Sequence, residues 1–367
     1  MMLRMFFIVL SVLSVVSRFA PVFAQDNLTI DRSKQEQLSP SVKVGDLAPK
    51  LKVTKWLQGD AVTTFKTGKM YVVEFWAVWC GPCIANMPHM ARLQAHYKDQ
   101  GVTVIAFTSR DIRGVANNTE ENVATFVETR GPALNYTFAY SDDVTATDAW
   151  KRWSAGEAGF PTFVVDKTGR IAYIGSPMFL DLVIPKVVAG SASAQAIGEE
   201  MSKVVAEYEA VYQTLIDDPI PGLVGLREFE AKYPALTDLV PAVFAKLKLL
   251  PRHGKPGEAQ EYVEGLVAKA TKQNDVRVLE LVSSTLRYEQ ENKQLLDLAV
   301  RAAEAHVRIE NGTGARSLLN LADAYLATGD TAQAKQYAGK AIIAAANESP
   351  EFQQYVEKEA RRLGAEK

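Results

Sequence analysis

The chain has 367 residues, a formal net charge of −2 and 47% hydrophobic residues. This length predicts two or three domains, because single hydrophobic cores stop growing at about 250–300 residues. The charge balance argues against binding to nucleic acid or to an anionic membrane surface, since both partners require a basic excess.

The first 24 residues have the pattern of a secretory signal peptide. Arg4 supplies a positive charge, an apolar run follows from Met5 to Val16, and small residues precede Gln25. The apolar run is shorter than the roughly 20 residues that a membrane span needs, and Arg18 interrupts its extension. We therefore expect an exported protein, periplasmic or secreted. The alternative is that the segment is retained as a membrane anchor.

Residues 25–41 are polar and lack apolar periodicity, which predicts a flexible linker. Residues 42–190 then alternate between strand and helix patterns. "KMYVVEFWAV" and "GVTVIAFTSRD" are apolar runs typical of strands buried on both faces, and a helical pattern lies between them. "FPTFVVDKTGRIAYIG" predicts an antiparallel hairpin. The order predicts an α/β domain, with a mixed central sheet flanked by helices.

Residues 191–367 predict a second, all-α domain. "SLLNLADAYLATGDTAQAKQYAGKAIIAAA" places small and apolar residues at the spacing of a tetratricopeptide repeat, and Gly329 permits a turn between its two helices. "VFAKLKLLPRHGKPGEAQEYVEGLVAKA" has a similar outline, and a weaker copy lies between the two segments. The alternative is an ordinary helical bundle.

Cys80 and Cys83 are the only cysteines, in "WCGPC" at the predicted junction of a strand and a helix. A bridge between residues three apart closes too small a loop to contribute much stability. Cys80 at a helix N-terminus would have its thiolate stabilised by the unpaired backbone N–H groups. The spacing therefore predicts a redox pair, in which Cys80 reacts with a partner and Cys83 resolves the mixed disulfide.

Two further residues fit this chemistry. Glu74 is a lone carboxylate in an apolar strand, where burial would raise its pKa and let it exchange a proton with Cys83. The alternative is a solvated residue or an ion pair with Lys69 or Lys167. Pro161 begins a predicted strand, a position that suits a cis turn against the dithiol, although an ordinary trans proline is the simpler interpretation.

"VVEFWAVWCGPCIANMP", followed by a Gly-Phe-Pro-Thr hairpin, resembles the thioredoxin fold and, more narrowly, the exported TlpA/ResA-like thiol–disulfide oxidoreductases. The resemblance covers residues 42–190. It implies that Cys80 is the nucleophile, Cys83 the resolving thiol and Glu74 the buried acid. It also implies a cis bond before Pro161.

By the same resemblance, Trp79, Phe160 and Thr162 would contact the substrate. The implied partners are protein thiols or disulfides and an upstream electron donor, with no cofactor. Members that reduce apocytochromes usually carry Gly-x-Pro-Glu at the cis-proline, and here Thr162 follows Pro161, which argues against a dedicated cytochrome role.

Other chemistries fit the sequence less well. A zinc site needs about four ligands, and the four histidines, His89, His96, His253 and His306, supply no second pair at ligand spacing. Haem attachment would need a histidine after Cys83, and a peroxiredoxin would need a cysteine in a different context. A different class of function is an interaction protein, whose C-terminal helices bind a protein or peptide while the redox domain is accessory.

Overall fold

The computed structural model describes residues 42–110, 118–130, 134–143, 146, 161–237, 239–348 and 350–365. The predicted signal peptide and linker lie outside the described residues, as does the whole of "DAWKRWSAG", for which the sequence predicts a short helix. None of the helices in the described ranges is long and apolar enough to cross a membrane.

In the part of the chain that the structure describes, six strands form one mixed sheet in the order β1-β4-β3-β2-β5-β6. The strands are β1 (Lys55–Gln58), β2 (Met70–Phe75), β3 (Val102–Ser109), β4 (Thr137–Ser141), β5 (Thr162–Val165) and β6 (Ile171–Gly175). Strands β2, β3 and β4 run parallel, while β1, β5 and β6 pair antiparallel with their neighbours. Every residue of β2 is buried, as its continuous apolar sequence predicts.

Among the described residues, three α-helices accompany the sheet: α1 (Gly81–Tyr97), α2 (Glu120–Arg130) and α3 (Leu180–Ala189). Met87, Met90 and Leu93 of α1 are buried at helical spacing, which places this helix against the sheet. The α/β architecture predicted for this part of the chain is therefore confirmed. Strand β1 was not predicted from the sequence, because its largely half-exposed residues carry no clear strand pattern.

The chain beyond residue 190 is helical in the described residues. Its α-helices are α4 (Ala194–Asp217), α5 (Pro219–Lys232), α6 (Val240–His253), α7 (Glu258–Lys272), α8 (Val276–Leu286), α9 (Lys293–Ile309), α10 (Ala315–Ala327), α11 (Thr331–Ala344) and α12 (Pro350–Arg362). The three segments with repeat-like sequences form the consecutive pairs α6–α7, α8–α9 and α10–α11. Gly329 joins α10 to α11 with a φ of 86°, a left-handed conformation that favours glycine. The all-α character is confirmed, and the tetratricopeptide assignment stays a prediction.

One hydrophobic core runs from the sheet into the first helices of this second part. Ile197, Met201 and Val204 of α4 belong to the same buried cluster as Phe179 and Val183. Separate clusters lie farther along the helices, among α6–α9 and among α10–α12. The predicted boundary after residue 190 therefore separates two types of secondary structure that share a core, and it stays a prediction as a domain boundary.

Candidate redox site

Cys80 and Cys83 form a disulfide at the start of α1, with their Cα atoms 5.3 Å apart. Cys80 is the N-cap residue, and its Sγ accepts a hydrogen bond from the Cys83 amide at 3.3 Å. Pro82 lies in the first helical turn, where its missing N–H leaves no helical hydrogen bond unmade. Cys83 packs against the core, which makes it the inner member of the pair. Both cysteines are half-buried, so the distinction between them rests on the contact of Cys83 with the core.

Asn118 fixes the loop that leads from β2 to the cysteines. Its Oδ1 accepts from the Val78 amide at 3.0 Å, and its Nδ2 donates to Thr108 Oγ1 at 2.8 Å and to the Ser109 carbonyl at 2.6 Å. Thr108 Oγ1 in turn donates to the Trp76 carbonyl at 2.6 Å. Asn118 is buried, so these bonds form in a low dielectric and restrain the loop strongly. The sequence provides no signal for this role.

Glu74 lies on the face of β2 that α1 covers, together with Met70, Val72 and Trp76. Its side chain is buried, and its Oε1 accepts a hydrogen bond from Asn86 Nδ2 at 3.1 Å. Asn86 is three residues after Cys83, on the same face of α1. The structure therefore places Glu74 against Asn86, which lies one helical turn after the inner cysteine.

Burial raises the pKa of Glu74 from its ordinary value of 4.5 to about 7, although the Asn86 hydrogen bond and the charge of Arg277 oppose the increase. Its second oxygen, Oε2, has no hydrogen-bond partner among the described residues. Lys167, one of the ion-pair partners considered from the sequence, donates instead to the Val188 carbonyl at 2.9 Å. A carboxyl group with this pKa can both accept and release a proton near neutral pH.

Helix α8 contacts α1 through a small charged cluster. Arg277 Nη1 donates to Asn86 Oδ1 at 3.2 Å, and Arg277 also holds Asp275 through Nε and Nη2 at 3.3 and 3.1 Å. Arg92 of α1 donates to the same carboxylate at 2.7 Å. Burial would raise the pKa of Asp275, but Arg277 and Arg92 together lower it. The all-α part of the chain therefore contacts the helix that carries the cysteines.

The other predicted site residues lie nearby or outside the described residues. Trp79 is half-buried next to Cys80, and Pro161 is buried at the start of β5. Thr162 is fully buried and is paired with Glu74 across β2 and β5, so its side chain lies beside the carboxyl group and away from the surface. Phe160, and with it the peptide bond before Pro161, lies outside the described residues. Substrate contact by these residues stays a prediction.

One of the two histidines on α1, His89, has a structural partner. His89 is buried, and its Nε2 lies 2.9 Å from Asp181 Oδ2 on α3. Helix α3 therefore covers this turn of α1 and supplies the partner of the buried imidazole. Among the described residues no group of three His, Cys, Asp or Glu side chains is arranged to hold a metal ion.

Comparison with known proteins places this site in a family. The family model described as Redoxin matches residues 43–180. The chain is 28% identical over 203 residues to Protein FixW of Rhizobium leguminosarum, which covers 55% of this chain and 91% of FixW. It is 30% identical over 148 residues to the thiol-disulfide oxidoreductase ResA of Halalkalibacterium halodurans, which covers 40% of this chain and 74% of that protein. The chain belongs to the ResA-like thiol–disulfide oxidoreductases.

Among solved structures, the chain is similar to a putative thiol:disulfide interchange protein DsbE from Chlorobium tepidum. The two sequences are 24% identical, the superposed region covers 41% of this chain and 98% of the DsbE chain, and the TM-score is 0.31. The redoxin match ends at residue 180, so Arg277 and Asp275 come from a part of the chain that this match does not include.

Proposed function

We propose that the protein is an exported thiol–disulfide oxidoreductase that reduces disulfides in protein substrates. The observation that carries the proposal is the Cys80–Cys83 disulfide at the N-terminus of α1, where Asn86, one turn after the inner cysteine, binds a buried carboxyl group. The predicted signal peptide supports the location, and the likeness to ResA supports the type of reaction.

The reaction begins with the reduced pair. The Cys80 thiolate attacks one sulfur of the substrate disulfide, which forms a mixed disulfide and releases the first substrate thiolate. Cys83 then loses its proton to the Glu74 carboxylate, and its thiolate attacks Cys80 Sγ. The second substrate thiolate leaves, the enzyme holds the Cys80–Cys83 disulfide, and two electrons have passed to the substrate. An upstream thiol donor must return two electrons before the next cycle.

The N-cap position supports the assignment of Cys80 as nucleophile. The first backbone N–H groups of α1 and the positive end of the helix dipole stabilise negative charge at its sulfur. Trp79, which precedes Cys80 in the chain, would contact the substrate together with Phe160 and Pro161. The buried Thr162 would contribute through its backbone, since its side chain is inside the sheet.

Substitution of each cysteine tests the proposal. We expect Cys80→Ser to abolish the reduction of insulin, and Cys83→Ser to accumulate a mixed disulfide with the substrate that mass spectrometry detects. The chain has only these two cysteines, so the position of an adduct is unambiguous. A Cys80→Ser protein that retains full insulin-reducing activity would rule out the proposed function. A reduction potential of about −270 mV would support a reductase, and one of about −120 mV would indicate an oxidase.

A second candidate function is that of an interaction protein with an accessory redox domain. The observation in its favour is a groove of about 540 Å³ between α8, α10 and α12, where Tyr288 and Tyr355 are exposed beside Arg287, Arg316 and Arg362. Exposed tyrosine and arginine residues are enriched in protein-binding surfaces. In this case Tyr288→Ala would reduce partner binding and leave the reduction of a small disulfide unchanged.

A further inference from the structure

We propose that Arg277, which comes from the all-α part of the chain, is a positioning residue for the redox site. It fixes the orientation of the Asn86 amide and thereby controls how readily Glu74 accepts the proton of Cys83. This inference rests on the proposed function, because it assigns a task to the proton exchange between Glu74 and Cys83.

The two ends of the Asn86 amide bind different partners. An asparagine side chain can present either its oxygen, which accepts, or its NH₂ group, which donates. A guanidinium group has only donors, so Arg277 Nη1 at 3.2 Å requires the Asn86 oxygen to point towards it. The NH₂ group must then point the other way, where it donates to Glu74 Oε1 at 3.1 Å. Arg277 therefore determines which end of the amide faces the carboxyl group.

The orientation of the amide affects the two forms of Glu74 differently. An N–H donor stabilises the carboxylate, whereas an amide oxygen would accept a hydrogen bond from the protonated acid. Without Arg277 the amide can rotate to suit either form, so the protonated acid would gain a partner that it lacks in the native arrangement. The positive charge of Arg277 acts in the same direction, since it also lowers the pKa of Glu74.

Arg277 is itself held in place. Its Nε and Nη2 donate to the two carboxylate oxygens of Asp275, while Nη1 donates to Asn86. All three nitrogen atoms of the planar guanidinium are therefore held by hydrogen bonds. Asp275 is buried, caps the start of α8 through the Val278 amide and also binds Arg92 of α1. A residue that only filled space would not need this arrangement.

The charged and titratable groups that face Glu74 come from three directions. Helix α8 contributes Arg277, and α1 contributes the cysteine pair. The segment before β4 contributes Tyr136. Burial and the charge of Glu74 both raise the pKa of this phenol well above its usual range, so Tyr136 stays neutral near neutral pH. Of these groups, Arg277 carries the permanent positive charge, which favours the carboxylate form of Glu74.

The test is a pH titration of Glu74 in full-length oxidised protein, followed by the infrared C=O band of its protonated carboxyl group. Glu74→Gln identifies the band, because it removes it. We expect Arg277→Gln to move the midpoint upward by about 1 pH unit. Arg301→Gln, which changes an exposed arginine on α9, is the matched control and should leave the midpoint in place. An unchanged midpoint in folded Arg277→Gln protein would overturn the inference.

A second variant covers the case in which Arg277→Gln does not fold. Asn86→Leu has a similar volume and removes both hydrogen bonds while Arg277 keeps its charge, and we again expect an upward shift. In the Asn86→Leu background, Arg277→Gln should shift the midpoint less than it does in the wild-type chain, because the orientation effect has already been lost. Equal shifts in both backgrounds would show that Arg277 acts by charge alone and would contradict the role of the amide.

The pH profile of thiol reactivity separates this inference from the proposed function. The rate at which iodoacetamide alkylates the reduced pair should depend on the protonation of Glu74, and Glu74→Gln should remove that dependence. If Glu74→Gln leaves the profile unchanged, the proposed proton exchange fails. If Glu74→Gln removes one limb of the profile and Arg277→Gln does not move that limb, only the role of Arg277 fails.

Discussion

Glu74 and Thr162 are direct partners across β2 and β5, and each has a buried side-chain oxygen without a hydrogen-bond partner among the described residues. Directly opposed residues in an antiparallel pair point to the same face of the sheet. The two oxygens, Glu74 Oε2 and Thr162 Oγ1, therefore lie on the face that α1 covers. A buried polar group without a partner costs about 1–3 kcal/mol, so this site retains polar atoms at the expense of stability.

Thr162→Val should stabilise the oxidised protein by about 1 kcal/mol, because it replaces an unpartnered hydroxyl with a methyl group of similar size. Thr108→Val is the matched comparison, since its hydroxyl donates to the Trp76 carbonyl and accepts from Asn118. We expect that variant to lose about 1–3 kcal/mol. Urea unfolding at neutral pH measures both. Equal destabilisation by the two substitutions would contradict the prediction, as it would mean that the Thr162 hydroxyl has a partner.

Glu74→Gln should change how stability depends on pH. The pKa of Glu74 is raised to about 7 in the folded protein from 4.5 in the unfolded chain, so the folded state binds the extra proton. The contribution of Glu74 to stability is therefore fully present below pH 4.5 and is lost as the pH rises through 7. The shift corresponds to a loss of about 3 kcal/mol, which the neutral glutamine avoids.

The measurement for Glu74→Gln is the free energy of unfolding of both proteins from pH 4 to pH 8. We expect the variant to be more stable than the wild type at pH 8 and similar to it at pH 4. Glu121→Gln, at an exposed position on α2, is the control for loss of a carboxylate in general. Parallel curves for the wild type and Glu74→Gln would show that the buried carboxyl group has an ordinary pKa.

The sequence predicts much of this site because its main features are local. The apolar run of β2 and the cysteine spacing establish the strand, the helix and the pair, and Glu74 stands out as the only charge in the run. The partners of Glu74 could not be predicted in the same way. Asn86 and Arg277 are 191 residues apart, and neither residue carries a pattern that indicates the contact. Strand β1 was missed for a related reason, since a half-exposed edge strand needs little apolar periodicity.

The shared core leads to a prediction about truncation. A chain that ends at residue 192 lacks α4, whose Ile197, Met201 and Val204 are buried in one cluster with Phe179 and Val183. Each large apolar side chain that loses its cover costs about 1.5–3 kcal/mol, and several such losses approach the total stability of a typical domain. We therefore expect this fragment to aggregate or to unfold at a much lower urea concentration than the full chain.

The matched control is a chain that ends at residue 313. It removes α10–α12, whose buried residues form largely separate clusters, and keeps α4 and Arg277. We expect it to unfold near the urea midpoint of the full chain and to retain the redox activity of the cysteine pair. A fragment ending at residue 192 that is as stable as the full chain would show that α4 does not support the sheet. If the fragment ending at residue 192 is unstable as expected, its loss of disulfide reduction would reflect unfolding. Point substitutions in the complete chain are therefore the better test of how the helices act on the redox site.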